Sequence, residues 1–138
     1  MIKQEILNFI NANPVFFLAT EDAGKPYVRG MMIIEANENG ILFSTGKQKD
    51  LHQQLSKNQH VELCFYDPKM NKQIRVNGTV ELTEDMDTKK KVLAKFPFLK
   101  PAVEKYGYDI LAPYYLRKGK AVMWTFETNF EPKKFIDI

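Results

Sequence analysis

The stretch Phe43-Ser44-Thr45-Gly46-Lys47-Gln48-Lys49 gathers small hydroxyl residues, a glycine and two cations where the apolar run Ile41-Leu42-Phe43 ends. A helical pattern follows, with Leu51 and Leu55 spaced four apart to bury one stripe. Ser44, Thr45 or Gly46 can cap that helix. Lys47 and Lys49 then fall in its first turn, where the macrodipole is already positive and acidic residues are the stabilising choice. Two cations beside unpaired backbone N–H groups point to an anion between them, and phosphate is the commonest candidate. The competing account is two solvated lysines with no ligand, because the dipole effect is only about 0.3–1 kcal/mol.

Arginine usage adds a second signal. Only three of the twenty basic residues are arginine: Arg29, Arg75 and Arg117. Arg29 and Arg75 interrupt apolar strand patterns, so each is a candidate for planar, multi-donor recognition of phosphate, carboxylate or a ring carbonyl. The plainer alternative for each is a pair with a strand glutamate.

Other chemistries lack their residues. His52 and His60 are the only histidines, and neither has a carboxylate or cysteine at metal-ligand spacing, which argues against a structural zinc site. No glycine-flanked nucleophilic serine occurs, nor a GxxxxGK[ST] or GxGxxG phosphate motif. Cys64, between Leu63 and Phe65 but on the other strand face, reads as an inert thiol rather than a nucleophile. With no acid–base constellation, a bound cofactor would have to supply any redox or group-transfer chemistry.

The elements that position these residues can be read in order. Residues 2–12 form an amphipathic helix stopped by Asn13-Pro14. Val15 to Thr20 is a short strand, and a long one is expected from Pro26 to Ala36. On it Tyr27, Arg29, Met31 and Ile33 share one face, and Val28, Gly30, Met32 and Ile34 the other. Gly30 in mid-strand suggests a bulge or something flat approaching the backbone. After the 41–45 strand come a helix over 47–57, a strand over 61–66 and a strand over 73–82. The last alternates sharply, with Ile74, Val76 and Val80 on its core face and Gln73, Arg75 and Asn77 on a polar face. Thr83 can cap a helix running to Phe96, a short helix is expected over 101–106, residues 107–113 read as irregular, and Tyr114-Tyr115-Leu116 as extended. Strands at 121–128 and 134–138 close the chain. Short antiparallel strands with hairpin turns and flanking helices predict a small barrel, within a single domain spanning 1–138.

Length and composition agree. A chain of 138 residues with 44% hydrophobic residues and ten Phe can bury a sizeable core. Net charge of +3 is too mild to imply nucleic acid. No apolar stretch approaches the roughly 20 residues a membrane helix needs. The N-terminus lacks the pattern of a signal peptide, and the single Cys64 suits a reducing compartment, so a cytoplasmic protein is expected.

Four motifs in order then resemble the pyridoxamine 5′-phosphate oxidase-related, FMN-binding split-barrel family. They are Phe17-Leu18-Ala19-Thr20, Gly24-Lys25-Pro26-Tyr27-Val28-Arg29, Leu42-Phe43-Ser44-Thr45 and Gln73-Ile74-Arg75-Val76-Asn77-Gly78. The chain is most similar to small stand-alone members, in which Thr45, Lys49 and Gln54-Leu55 would open the first long helix. The resemblance implies a six-stranded antiparallel split barrel, a homodimer, and FMN in grooves at the subunit interface. It would put Arg29 at the flavin or its phosphate, and the backbone of Gly30, Met31 and Met32 along the ring. Ser44, Thr45, Lys47 and Lys49 would hold the phosphate. Gln73 would reach the ring, with Trp124 packing on the cofactor or serving an interface.

Departures qualify that transfer. The oxidases carry an Arg-Lys pair where this chain has Asp50 and Leu51, and a lysine where it has Ile34. Segment 114–138 lacks the pattern that holds the pyridoxal substrate. The expected activity is therefore an FMN-dependent oxidoreductase of another, unread substrate. The alternative on the same fold is a flavin, deazaflavin or haem carrier or sensor, haem needing His52, His60, Cys64, a Met or a Tyr as axial ligand. A single-strand nucleic-acid module is disfavoured, because the aromatics sit in core-type runs rather than among basic residues on an exposed face.

Overall fold

A computed structural model describes residues 1–138. Helix α1 (Lys3–Ala12) buries Ile6, Leu7 and Ile10, the stripe its spacing selects. Strands β1 (Val15–Asp22) and β2 (Lys25–Met32) form a hairpin. Its turn residues Ala23 and Gly24 both have positive φ, the conformation that matches a two-residue hairpin to the twist of its strands. The long strand expected over 26–36 breaks after Met32, and a separate β3 (Glu35–Asn37) pairs with β4 (Gly40–Gly46) in another sheet. The break sits at two isoleucines. Ile33 packs into one hydrophobic cluster and Ile34 into a second, which an unbroken strand facing one core could not achieve.

Helix α2 (Asp50–Lys57) starts three residues later than its sequence pattern suggests. Residues 47–49 form a turn instead, held by Lys49 N–H to the Gly46 carbonyl and Lys47 N–H to the Ile110 carbonyl. Lys49 is thus the N-cap residue, and no side chain caps the helix. Strands β5 (His60–Asp67) and β6 (Lys72–Thr79) follow, then β7 (Glu81–Leu82), which leaves the β6 sheet for the second one. Asp85, rather than Thr83, caps α3 (Met86–Lys95) by accepting from Thr88 N–H. Helix α4 (Lys100–Tyr106), a short 3-10 turn and β8 (Leu111–Leu116) come next. Strands β9 (Gly119–Thr125) and β10 (Ile136–Asp137) end the chain.

The strands form a split barrel. Its main sheet is six-stranded and antiparallel, ordered β10-β9-β6-β5-β1-β2, and the other sheet is ordered β3-β4-β8-β7. No ladder closes the barrel between them. The larger core cluster lies between the sheets, where Phe16, Phe43 and Phe65 pack together. The smaller cluster lies between the second sheet and α3–α4. Strands β4 and β8 are therefore covered on both faces. Phe43, Ala112, Tyr114 and Leu116 enter the first cluster, while Leu42, Leu111 and Tyr115 enter the second.

A groove at the edge of the main sheet

Strand β2 ends the main sheet, so its outward backbone N–H and C=O groups have no strand partner. Beside it lie the end of β4, the 47–49 turn and the start of α2. Together these elements frame a two-lobed groove, and Gly30, Met31, Thr45 and Lys49 line both lobes.

The first lobe, about 550 Å³, also takes Arg29, Asp50, Leu51 and Gln54. Arg29 is fixed from behind. Its Nη1 donates to the Leu18 carbonyl at 3.2 Å and Thr20 Oγ1 at 2.9 Å, and its Nη2 donates to Gln54 Oε1 at 2.6 Å. A guanidinium has five N–H donors, so two remain for a ligand. Burial lowers the Arg29 pKa, and the charge of Asp50 opposes that effect. Lys49 is exposed and forms no ion pair, and the first N–H groups of α2 lack intrahelical acceptors by geometry. This end of the groove can hold an anion.

The second lobe, about 320 Å³, is of different character. Val92, Phe96, Leu99 and Leu111 make its far wall, and Ser44 and Gln48 supply the polar side chains near its mouth.

Of the residues singled out from sequence, Arg29, Gly30, Met31, Met32, Ser44, Thr45 and Lys49 line this groove. Lys47 does not. Its ammonium is bound to Glu84 at 2.8 Å, and Glu84 also holds the buried Lys89 at 2.7 Å. Gln73 and Trp124 are cross-strand neighbours on β6 and β9, and line a separate pocket of about 440 Å³. Arg75 borders that pocket and takes the plainer role weighed for it, pairing with Glu62 at 3.3 Å. Burial pushes the Cys64 thiol up, and Cys64 lines neither lobe of the groove. His52 Nδ1 shares a 2.7 Å hydrogen bond with the Tyr114 hydroxyl, and neither histidine lines the groove.

Two participants escaped sequence reasoning as working groups. Thr20 and Gln54 are buried, and Thr20 Oγ1 donates to Gln54 Oε1 at 2.6 Å. The available signal was a polar residue on the buried stripe Leu51, Gln54 and Leu55. Gly30 is also informative. The β1–β2 register runs through it without a bulge, and a Cβ there would meet only the Phe17 ring at 3.5 Å, an ordinary contact. The protein's own packing does not demand glycine at this point.

A family model for pyridoxamine 5′-phosphate oxidase matches residues 2–128. The chain belongs to that family. Within the pyridoxamine 5′-phosphate oxidase family, a 67-residue stretch is 39% identical to pyridoxine/pyridoxamine 5′-phosphate oxidase of Paraburkholderia phymatum, covering 48% of this chain and 32% of that one. The match thus spans about a third of the curated relative's length. The fold is similar to a nimC/nimA family protein from Clostridium acetobutylicum, with a TM-score of 0.78 and 25% identity over 98% of this chain and 92% of that one. It is also similar to a pyridoxamine 5′-phosphate oxidase-related, FMN binding protein from Nostoc punctiforme, with a TM-score of 0.63 and 15% identity over 96% and 87%. No helix is long and apolar enough to cross a membrane.

Proposed function

We propose that this chain is an FMN-binding oxidoreductase that works as a homodimer on a small-molecule substrate. The observation carrying this reading is the groove itself: a fixed arginine, a free lysine and an uncapped helix start at one end, and a free strand edge leading to an apolar lobe. That set suits a molecule with a phosphate at one end and a flat, hydrogen-bonding ring at the other. Arg29, Thr45, Lys49 and the α2 N–H groups would hold the phosphate. The Gly30–Met32 backbone and the Ser44 hydroxyl would bind and orient the ring. FMN, when bound, supplies the electron-transfer chemistry, and the chain supplies orientation and electrostatics.

Gln73 and Trp124 lie outside the groove of their own protomer, so in this reading they complete the site of a second copy. The outer face of the main sheet supports such pairing, with Val15, Phe17, Val28 and Met32 exposed side by side on β1 and β2. For the haem alternative, His52 is engaged by Tyr114 and neither histidine lines the groove, which leaves Tyr27, Met31 or Met32 as the axial ligand there.

The test is an FMN titration followed by flavin absorbance and thermal unfolding. At a ligand concentration 100 times Kd, the folded state should gain about 2.7 kcal/mol. Lys49→Glu should abolish the gain while the fold and the oligomeric state persist. Phe17→Glu should give monomers by light scattering and lose FMN with them. Wild-type protein that gains no stability from FMN overturns the proposal.

A further inference from the structure

The pocket that holds Gln73 and Trp124 shares no lining residue with the groove. The β6–β9 ladder makes one wall, and the segment between β9 and β10 supplies most of the rest. Trp124 is the only tryptophan in the chain. Its indole N–H donates to Asn129 Oδ1 at 2.8 Å, so the ring is held as a fixed flat surface. Three cations line the pocket, Arg75, Lys133 and Lys134, against the single carboxylate of Glu131. Lys133 and Lys134 enter no ion pair, and Arg75 gives one of its five N–H donors to Glu62. FMN does not account for this charge. It carries one phosphate, for which the groove already provides Arg29, Lys49 and the start of α2, and its oxidised ring is uncharged. Surplus positive charge beside a fixed aromatic face suits a second anion that is itself flat.

We propose that this pocket is the substrate site and that the substrate is a planar aromatic carboxylate. The ring would stack on Trp124, and the Arg75 guanidinium with the Lys133 and Lys134 ammonium groups would take the carboxylate. The volume of about 440 Å³ is in the range of small-ligand sites. The substrate role rests on the FMN and homodimer reading above, in which Gln73 and Trp124 face the cofactor of a second copy. The ligand class rests on the pocket alone.

The experiment uses the FMN-loaded full chain and two probes that share one ring system and differ in charge, 2-naphthoate and 2-naphthamide. Equilibrium dialysis gives the affinities, and the single indole N–H resonance of Trp124 reports where the probe sits. 2-Naphthoate should bind at least about tenfold more tightly than the amide, a difference of about 1.4 kcal/mol, and should move that resonance. Lys133→Ala combined with Lys134→Ala changes two exposed residues and so spares the fold. It should cut the preference to within about threefold while FMN affinity stays within about twofold. Trp124→Leu should weaken both probes alike, by roughly twofold to tenfold, the range expected for one aromatic contact. In the loaded protein 2-naphthoate should also perturb the visible flavin bands.

Equal binding of the two probes, no binding of 2-naphthoate, or a preference that survives the double lysine variant overturns the ligand class and leaves the FMN reading intact. Loss of FMN in the double lysine variant means that these cations serve the cofactor, and the proposal fails. A moved indole resonance with unperturbed flavin bands overturns the substrate role. Wild-type protein that takes no FMN overturns the FMN reading and the substrate role together, and 2-naphthoate that still moves the indole resonance then upholds the ligand class.

Discussion

Gln54 Oε1 accepts from Arg29 Nη2 and from Thr20 Oγ1, both at 2.6 Å. One amide oxygen on α2 therefore fixes a guanidinium from β2 and a hydroxyl from β1. The Arg29 charge is held in place before any ligand arrives, so little side-chain entropy is left to lose on binding.

Gln54→Leu removes that acceptor and leaves the buried Thr20 hydroxyl proton and one Arg29 N–H without it. Stability should fall by about 1–3 kcal/mol, the usual cost of a stranded buried polar group. Urea unfolding should show a lower midpoint with an unchanged slope. FMN affinity should fall as well, because Arg29 loses its support.

Asp50 lines the first lobe with Arg29 and Lys49, and Lys47 is taken by Glu84. The lobe is thus less positive than the sequence suggests. Asp50→Asn should tighten FMN by several-fold, and Lys47→Met should change it by less than about threefold. Lys49→Met should cost at least tenfold, since a charge-assisted hydrogen bond contributes about 1.5–3 kcal/mol. Flavin fluorescence titrations rank the three variants.

Gly30→Ala separates packing from binding. The added methyl meets only the Phe17 ring, and alanine avoids the entropic cost of glycine in a strand, so stability should hold or rise by about 0.5–1 kcal/mol. FMN affinity should nevertheless fall, because the methyl fills the space a flat ligand would use. Thermal unfolding and flavin titration on the same preparation check both halves.

The Glu84 carboxyl is held below its ordinary value of 4.5, first by the hydrogen bond from Lys47 and then by that from Lys89. A depressed carboxylate contributes its stabilisation fully above the unfolded-state value and loses it as pH falls through the folded-state value. Wild-type protein should therefore lose more stability than Glu84→Gln as pH drops below about 4.5. Unfolding midpoints collected across that range would show the two curves converging toward acid.

Much of this arrangement was legible in the residues, and the failures have physical causes. The alternation read over 73–82 gives β6 directly, because one face is core and the other is not, but it runs on past Thr79, where the chain leaves for β7 in the other sheet. The first half of strand β8 hides from the same reasoning, although Tyr114-Tyr115-Leu116 reads as extended. All of its residues are buried, with one face on each cluster, so the period-two signal vanishes and residues 111–113 read as irregular. Thr45 and Lys49, read as phosphate ligands, do line one groove with Arg29. Lys47 was misdirected by a glutamate 37 positions away, a partner that local spacing cannot reveal. Gln73 and Trp124 share a pocket that their own groove does not touch, and strand pairing rather than sequence order brings them together.

The peptide between Ile33 and Ile34 joins the two halves of the barrel. Ile33 N–H bonds to the Pro14 carbonyl beside β1, and Ile34 N–H bonds to the Leu42 carbonyl in β4. Consecutive amides thus report on different sheets. If the halves open independently, their hydrogen-exchange rates will diverge; if the barrel opens as one cooperative unit, both will exchange only through global unfolding. The same peptide lies just beyond Met32, where β2 leaves the groove, so this junction is the natural fulcrum for any breathing of the groove's two walls.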